Sequence, residues 1–94
     1  TKNMYVSDSL MLNRAIDMRG DIVVLDGGVL RLSCRTHMPA GSKIIVHPKG
    51  TLILNGVRIH NDCGETWGGI EVLKKGEEEG QIKYYGSVKL EDLE

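Results

Sequence analysis

The side chains with the clearest chemical potential lie beyond the middle of the chain, where His60, Asp62 and Cys63 are close in sequence. Imidazole, carboxylate and thiolate groups are the usual ligands of zinc, and a structural zinc site takes four of them at one point. His37 and His47 are the remaining histidines, and their spacing fixes neither of them as a fourth ligand. We therefore expect neither a metal site nor a cofactor.

The two cysteines, Cys34 and Cys63, are too few for a disulfide framework and are not spaced as a CxxC motif. A single disulfide between them is chemically allowed in an exported protein. It requires a short distance between the two Cα atoms, which a sequence does not reveal. Two unbonded thiols, buried or in loops, are the alternative.

Trp67 lies among glycines that favour turns, so two roles are open for its indole ring. An exposed ring would be a platform on which a sugar ligand could stack. A buried ring would instead cap an open corner of the fold and remove a large apolar surface from water. The acidic run at residues 77–79 has two interpretations as well, a contribution to a calcium site or a solvated loop.

No catalytic motif is recognisable in the chain. Gly27 and Gly28 lack the GxGxxG spacing of a dinucleotide site, and neither GxSxG nor HExxH occurs. With 12 basic and 13 acidic residues, the chain has no basic field that would attract a nucleic acid. No apolar run approaches the roughly 20 residues of a membrane-spanning helix, and the first residues do not resemble a signal peptide. The sequence therefore favours a protein that is not an enzyme.

The elements that position these side chains follow a repeat of 22 residues. Residues 21–33 align with residues 43–55 without a gap, apolar on apolar and turn residue on turn residue. Each copy contains an apolar strand, a glycine-containing turn and a strand that alternates inward and outward. A third alternation, at residues 57–60, follows a corner at Asn55 and Gly56. A repeat of this length is typical of stacked coils.

We therefore predict an all-β fold for residues 21–92, a right-handed parallel β-helix of two to three coils with irregular end caps. Copies that run in the same direction at one coil length favour this fold over a β-sandwich or a small barrel. Arg31, Ile53, Arg58 and Lys83 would then point outward. These outward side chains do not form the acid and base set of a polysaccharide-active enzyme.

The repeat also predicts which positions are level in adjacent coils. Cys34 would be level with Gly56, which brings it near the side of the coil that carries Cys63. His37 would be level with Ile59, an apolar position, and would then be partly packed.

The two ends of the chain are less regular. Residues 74–80 form a polar excursion that we expect at one corner, after which Ile82 and Tyr84 resume the inward positions. Residues 1–20 contain a coil-like strand pattern, although capping residues and a final glycine also fit a short helix over the open end. We favour a partial leading coil there, with a helical cap as the alternative. Residues 93–94 are set aside as a possible cloning remnant.

The segment after Asp62 resembles a recurring element of large secreted parallel β-helix proteins of Bacteroidetes, with the pattern CGxxWxGIxV. The matching residues are Cys63, Gly64, Trp67, Gly69, Ile70 and Val72. The two preceding coils and the turn at Met38 and Pro39 are similar to the same family, so the resemblance covers residues 20–90. It departs after Val72, where Leu-Lys-Lys replaces an aromatic-glycine pair.

The resemblance implies a larger parent protein, exported across both membranes to the cell surface. The leading hypothesis for this chain is a non-catalytic structural or adhesive segment that presents a face to a polysaccharide or to a host or surface protein. The alternative is part of a polysaccharide-active enzyme, a lyase or hydrolase, whose catalytic coils lie outside this chain; fold alone does not decide between them. Unpaired strands at both ends also predict edge-to-edge self-association.

Overall fold

A computed structural model describes residues 3–94, and all regular secondary structure in that range is β-strand. The strands are β1 Met4–Val6, β2 Ser9–Leu12, β3 Ile16–Asp17, β4 Ile22–Val24, β5 Val29–Leu32, β6 Arg35–His37, β7 Ile44–Val46, β8 Thr51–His60, β9 Ile70–Val72, β10 Lys74–Lys75, β11 Glu78–Glu79 and β12 Gln81–Leu90. In the part of the chain that the structure describes, no helix is long and apolar enough to cross a membrane.

Each turn of the chain adds one parallel strand to each of three faces. The first face has the strand order β1-β4-β7-β9. The second contains β2, β5 and the first halves of β8 and β12, and the third contains β3, β6 and the second halves of β8 and β12. Three complete turns therefore lead from β1 to β9, and β12 adds the fourth strand to the other two faces. The predicted all-β parallel solenoid is confirmed.

The repeat of 22 residues sets the pairing between the second and third turns. The register partners are Ile22 and Ile44, Val24 and Val46, Leu30 and Leu52, and Leu32 and Leu54. Partners in adjacent parallel strands lie about 4.8 Å apart and point to the same side, so equal residues stack into apolar columns. All eight of these side chains are fully buried, and each contributes roughly 1.5–3 kcal/mol to the stability of the fold.

Residues 4–17 form the strands of a leading turn. Leu10 and Leu12 pair with Leu30 and Leu32, in the positions that the coil-like pattern predicts. The helical alternative for this segment is wrong, because pairing with the exposed edge of β5 satisfies the backbone and extends the apolar columns at the same time.

The third face has a different register from the first two. Leu32 pairs with Leu54, but Arg35 pairs with Arg58, so two residues of one turn oppose three of the next. The extra residue lies at the corner of β8, where Gly56 has a φ of 63°, as in a β-bulge. The level positions predicted for the third face are therefore shifted by one residue.

The polar excursion after β9 is an antiparallel hairpin of β10 and β11, in which Lys74 pairs with Glu79. The chain then resumes the stack: Ile82 pairs with Leu52 and Tyr84 with Leu54, as predicted. Leu93, which the sequence suggested as part of a cloning remnant, forms a parallel bridge with Trp67, and the backbone N–H of Glu94 donates to the carbonyl of Trp67. The last two residues therefore take part in the fold.

Candidate functional site

A pocket on the third face brings His37, His60 and Asp62 together. One potential ligand atom from each residue lies within 4.8 Å of the other two. The pocket has a volume of about 200 Å³. The residues that line it are Ala15, Ile16, Asp17, Arg35, His37, His60 and Asp62.

The parallel strands of the third face position both histidines. His37 is the last residue of β6 and His60 the last residue of β8, and the two are register partners. Asp17, the last residue of β3, is in turn the partner of His37. Because partners in a parallel pair point to the same side of the sheet, an aspartate and two histidines form one column across three turns.

Asp62 enters the pocket from the turn after β8, which Asn61 fixes. The buried amide of Asn61 donates from Nδ2 to the carbonyl of Met38 at 3.0 Å. Its Oδ1 accepts from the backbone N–H of Cys63 at 2.8 Å and of Glu65 at 3.1 Å. One side chain thus ties the turn to the preceding coil and sets the direction of the Asp62 carboxylate.

The Asp62 carboxylate lies between the two imidazoles. Its Oδ1 is 2.8 Å from Nδ1 of His60, and its Oδ2 is 3.5 Å from Nδ1 of His37. The backbone N–H of Asp62 donates to His37 Nδ1 at 3.0 Å. This bond places the proton of a neutral His37 on Nε2, which lies 3.7 Å from Oδ1 of Asp17.

His60 is buried without full hydrogen bonding. Its side chain is 6% exposed, and its Nε2 is the sole buried side-chain nitrogen or oxygen within residues 3–94 that has no partner. A carboxylate only accepts hydrogen bonds, so a protonated Nδ1 suits the contact with Asp62 and leaves Nε2 as an unpaired acceptor. An unsatisfied buried polar atom costs about 1–3 kcal/mol, so packing alone does not account for a histidine here.

A second carboxylate near His60 is already engaged. Glu91 follows Leu90, the register partner of Ile59, so it is level with His60. Its Oε1 accepts a hydrogen bond from Nε of Arg58. This bond and the negative charge of Glu91 raise the pKa of the exposed Arg58 guanidinium. Arg58 therefore holds Glu91, and Asp62 is the carboxylate that meets the histidines.

The structure does not join the two cysteines. Both are free thiols, Cys34 buried and Cys63 exposed. Cys34 belongs to the core, and its Sγ lies 3.6 Å from Oγ1 of Thr36. Because of the register change at Gly56, Cys34 is not aligned with that glycine as the repeat predicted.

Trp67 is not a ligand platform, and that interpretation of the sequence is wrong. Its side chain is fully buried in the core, so neither ring face can stack on a sugar. Its Nε1 donates to the backbone carbonyl of Glu91 at 2.6 Å. Trp67 instead has the structural role that the sequence offered as the alternative.

The acidic run at residues 77–79 lies in and beside the β10–β11 hairpin. Glu78 makes an exposed ion pair with Lys49, with 3.4 Å between Oε1 and Nζ. Within the described residues these glutamates belong to no group of three potential metal ligands. The chain's third histidine, His47, lines a separate open pocket beside the hairpin.

The fold places this chain in the class of parallel β-solenoids. Comparison of the chain with protein-family models, with curated proteins and with solved structures finds no match to any of them.

The sequence offers His37, His60 and Asp62 as metal-capable side chains, but the repeat did not place His37 beside the other two. It aligned His37 with Ile59, whereas the structure pairs it with His60. The signal that could have revealed the pair is the Asn-Gly corner at Gly56, where a left-handed glycine adds one residue to the turn.

Proposed function

We infer that this chain is a non-catalytic structural segment of a secreted or cell-surface protein, in which further β-coils stack on its ends. The observation that carries this proposal is the incomplete burial of the side chains in the last turn. The inward columns of the core continue into it, yet its side chains are only partly covered. These side chains are Ile70, Val72, Ile82, Tyr84, Val88 and Leu90.

Tyr84 illustrates this open end most clearly. It is the register partner of the fully buried Leu54, so it occupies an inward column, but it is 55% exposed. Its neighbour Tyr85 is 52% exposed for a different reason, since it pairs with Asn55 in an outward column. An apolar inward position without a cover supports contact with another coil.

Strand edges support the same proposal. Within residues 3–94, β9 pairs only with β7 and β12 only with β8, and at the opposite end β1 pairs only with β4. Each outer strand therefore presents backbone N–H and C=O groups that another parallel strand can pair with. Unpaired backbone and open apolar columns occur on the same two surfaces, as in a repeat array between its caps.

An outward face suits the adhesive part of the proposal. A groove of about 270 Å³ runs over the second face. Its lining residues are Ser9, Leu10, Met11, Val29, Arg31 and Ile53. Apolar side chains beside one guanidinium fit a protein or polysaccharide partner.

Amide NMR titrations with host and plant polysaccharides test binding at this groove. Chemical-shift changes confined to the groove support a polysaccharide partner, and a spectrum that none of the polysaccharides changes contradicts it.

The two adjacent tyrosines allow a matched test of the open end. We expect the chain to self-associate as its concentration rises, because a second copy is the available substitute for a further coil. Tyr84→Lys places a charge in the inward column of the end turn and should weaken this association strongly. Tyr85→Lys adds the same charge one residue away, on the outward side, and should leave the association unchanged.

Sedimentation velocity over a concentration series measures the result. Circular dichroism of both variants establishes that the β-structure is retained. A wild-type chain that stays monomeric at every concentration would overturn the proposal, and so would equal effects of the two substitutions.

A further inference from the structure

We propose that His37, His60 and Asp62 form a binding site for a divalent first-row transition-metal ion, with zinc as the simplest occupant. This site goes beyond the structural role of the coils, since it gives the third face a chemical ligand. It also differs from the calcium site considered for the acidic run at residues 77–79, because it combines imidazole and carboxylate ligands.

The donor set selects the class of metal. Two imidazole nitrogens and one carboxylate oxygen suit zinc, iron, nickel and copper, whereas calcium and magnesium prefer oxygen ligands alone. His37, His60 and Asp62 supply that mixed set from two adjacent strands and the turn that follows one of them. The site is therefore specified by residues from consecutive turns of the solenoid.

The distances are close to those that an ion requires. In a tetrahedral zinc site, neighbouring ligand atoms are separated by roughly 3.3 Å. The two contacts of Asp62 lie on either side of this value, 2.8 Å from its Oδ1 to His60 Nδ1 and 3.5 Å from its Oδ2 to His37 Nδ1. All three residues offer a ligand atom within 4.8 Å of the other two. Strand pairing and the bonds of Asn61 fix the backbone around the site, so rotation of the side chains is the movement left to bring the ligands to one ion.

The partners around the histidines also fit a metal site. A metal-binding histidine usually gives its other ring N–H to a carboxylate or carbonyl, which holds the ring in place. Asp17 can accept from His37 Nε2 in this way, at 3.7 Å in the present arrangement. Binding through His37 Nδ1 then replaces the hydrogen bond from the Asp62 amide, so that amide reports directly on the site.

His60 is the most enclosed of the three ligands. It is almost completely buried, and its Nδ1 lies 2.8 Å from Oδ1 of Asp62. An ion at the Asp62 side of the ring is bound by Nδ1, and the neutral imidazole then carries its proton on Nε2. The opposite side of the pocket is open, since the Asp62 side chain is 65% exposed. An ion can enter there, and its remaining coordination positions face solvent.

The test uses Zn²⁺ and Co²⁺ as probes, with calorimetry for affinity and stoichiometry and with the visible absorption of Co²⁺ for ligand geometry. We expect one ion per chain. His37→Gln and Asp62→Asn each remove one ligand from a partly exposed position and should weaken Zn²⁺ binding by at least about tenfold, the lower end of the loss seen even when a partner of a ligand is removed. His60→Asn should do the same, and amide NMR shows whether this buried variant remains folded.

Two further variants are controls. His47→Gln removes the third histidine of the chain, and Cys63→Ser removes the exposed thiol next to Asp62; both should bind Zn²⁺ like the wild type. The amide resonance of Asp62 should shift on addition of Zn²⁺. The proposal is overturned if wild-type chain does not bind Zn²⁺, if either control loses binding as the ligand variants do, or if His37→Gln and Asp62→Asn bind like the wild type.

Discussion

Trp67 has a structural role that its neighbours in the sequence do not reveal. Trp67 lies in an irregular connection between β8 and β9, among glycines, yet it is completely buried. Its backbone N–H donates to the carbonyl of Asp92, and its carbonyl accepts from the N–H of Glu94. Trp67 therefore joins the C-terminal residues to the core through its backbone as well as its ring.

Replacement of Trp67 should be among the most damaging changes in the chain. We expect Trp67→Ala to lower the free energy of unfolding by about 3–5 kcal/mol, the range for aromatic residues deleted from cores. Trp67→Phe should cost less, since the ring volume is largely kept while the Nε1 bond to Glu91 is lost. Urea unfolding monitored by circular dichroism measures both.

Tyr85→Ala is the control for aromatic deletion, because Tyr85 is exposed on an outward column. It should change stability by no more than about 0.5 kcal/mol. A Trp67→Ala variant that is as stable as Tyr85→Ala would show that the indole ring is not part of the core.

The candidate site could be predicted from the sequence only in part. His60 and Asp62 are close in the chain, so their proximity is evident from the sequence. The partnership of His37 with His60 depends on a single extra residue at Gly56. Since a shift of one residue changes which side chains are level across the whole third face, a constant period could not reveal it.

Elements are joined by corners in which glycine has two separate uses. Gly28, Gly50 and Gly80 each pack against the backbone of the preceding turn, where a Cβ would lie 2.2 Å from Val6 O, 2.9 Å from Leu25 O and 2.7 Å from Val46 O respectively. Glycine is required at these three positions because no space remains for a Cβ atom. The residues before two of them, Gly27 and Lys49, carry the positive φ of the corner.

The adjacent positions Lys49 and Gly50 separate these two uses. Gly50→Ala should lower the free energy of unfolding by about 1–3 kcal/mol, the usual cost of overpacking, because the obstructing atoms belong to the backbone. Lys49→Gly should be neutral or stabilising by up to about 1 kcal/mol, because relief of the left-handed strain at Lys49 offsets the destabilising backbone freedom that glycine adds to the unfolded chain.

Thermal unfolding of the two variants beside the wild type provides the measurement. Equal stability of Gly50→Ala and wild type would mean that the corner can move away from the preceding turn. The repeat predicted these corners and a glycine with positive φ in each of them. At the second corner this is wrong, because Lys49 has the positive φ and Gly50 packs against the preceding turn.

The molecule has extents of 37 × 25 × 20 Å, and each turn of the stack packs on the turns next to it. The predicted period of 22 residues holds for one step of the stack alone. The step from β1 to β4 is shorter, and the step from β8 to β12 is longer by the β10–β11 hairpin. The fold class was therefore predictable from two regular turns, whereas the leading and last turns required the pairing of their strands.

In this architecture the unpaired backbone N–H and C=O groups of the outer strands lie on the two end turns. The apolar columns are covered in the middle of the stack and open at Leu10 and Tyr84. In a linear stack of this kind, stability comes from the contacts between neighbouring turns. If further coils continue the stack, any association of this chain must therefore occur at its two end turns.

Two-dimensional amide NMR of the chain at increasing concentration tests this claim most directly. We predict chemical-shift changes confined to the end strands, β1 to β3 and β9 with β12, while amides in β5 and β7 remain constant. The same spectra of Tyr84→Lys should show much smaller changes. Concentration-independent spectra, or changes spread over the outward faces of the middle turns, would contradict the account.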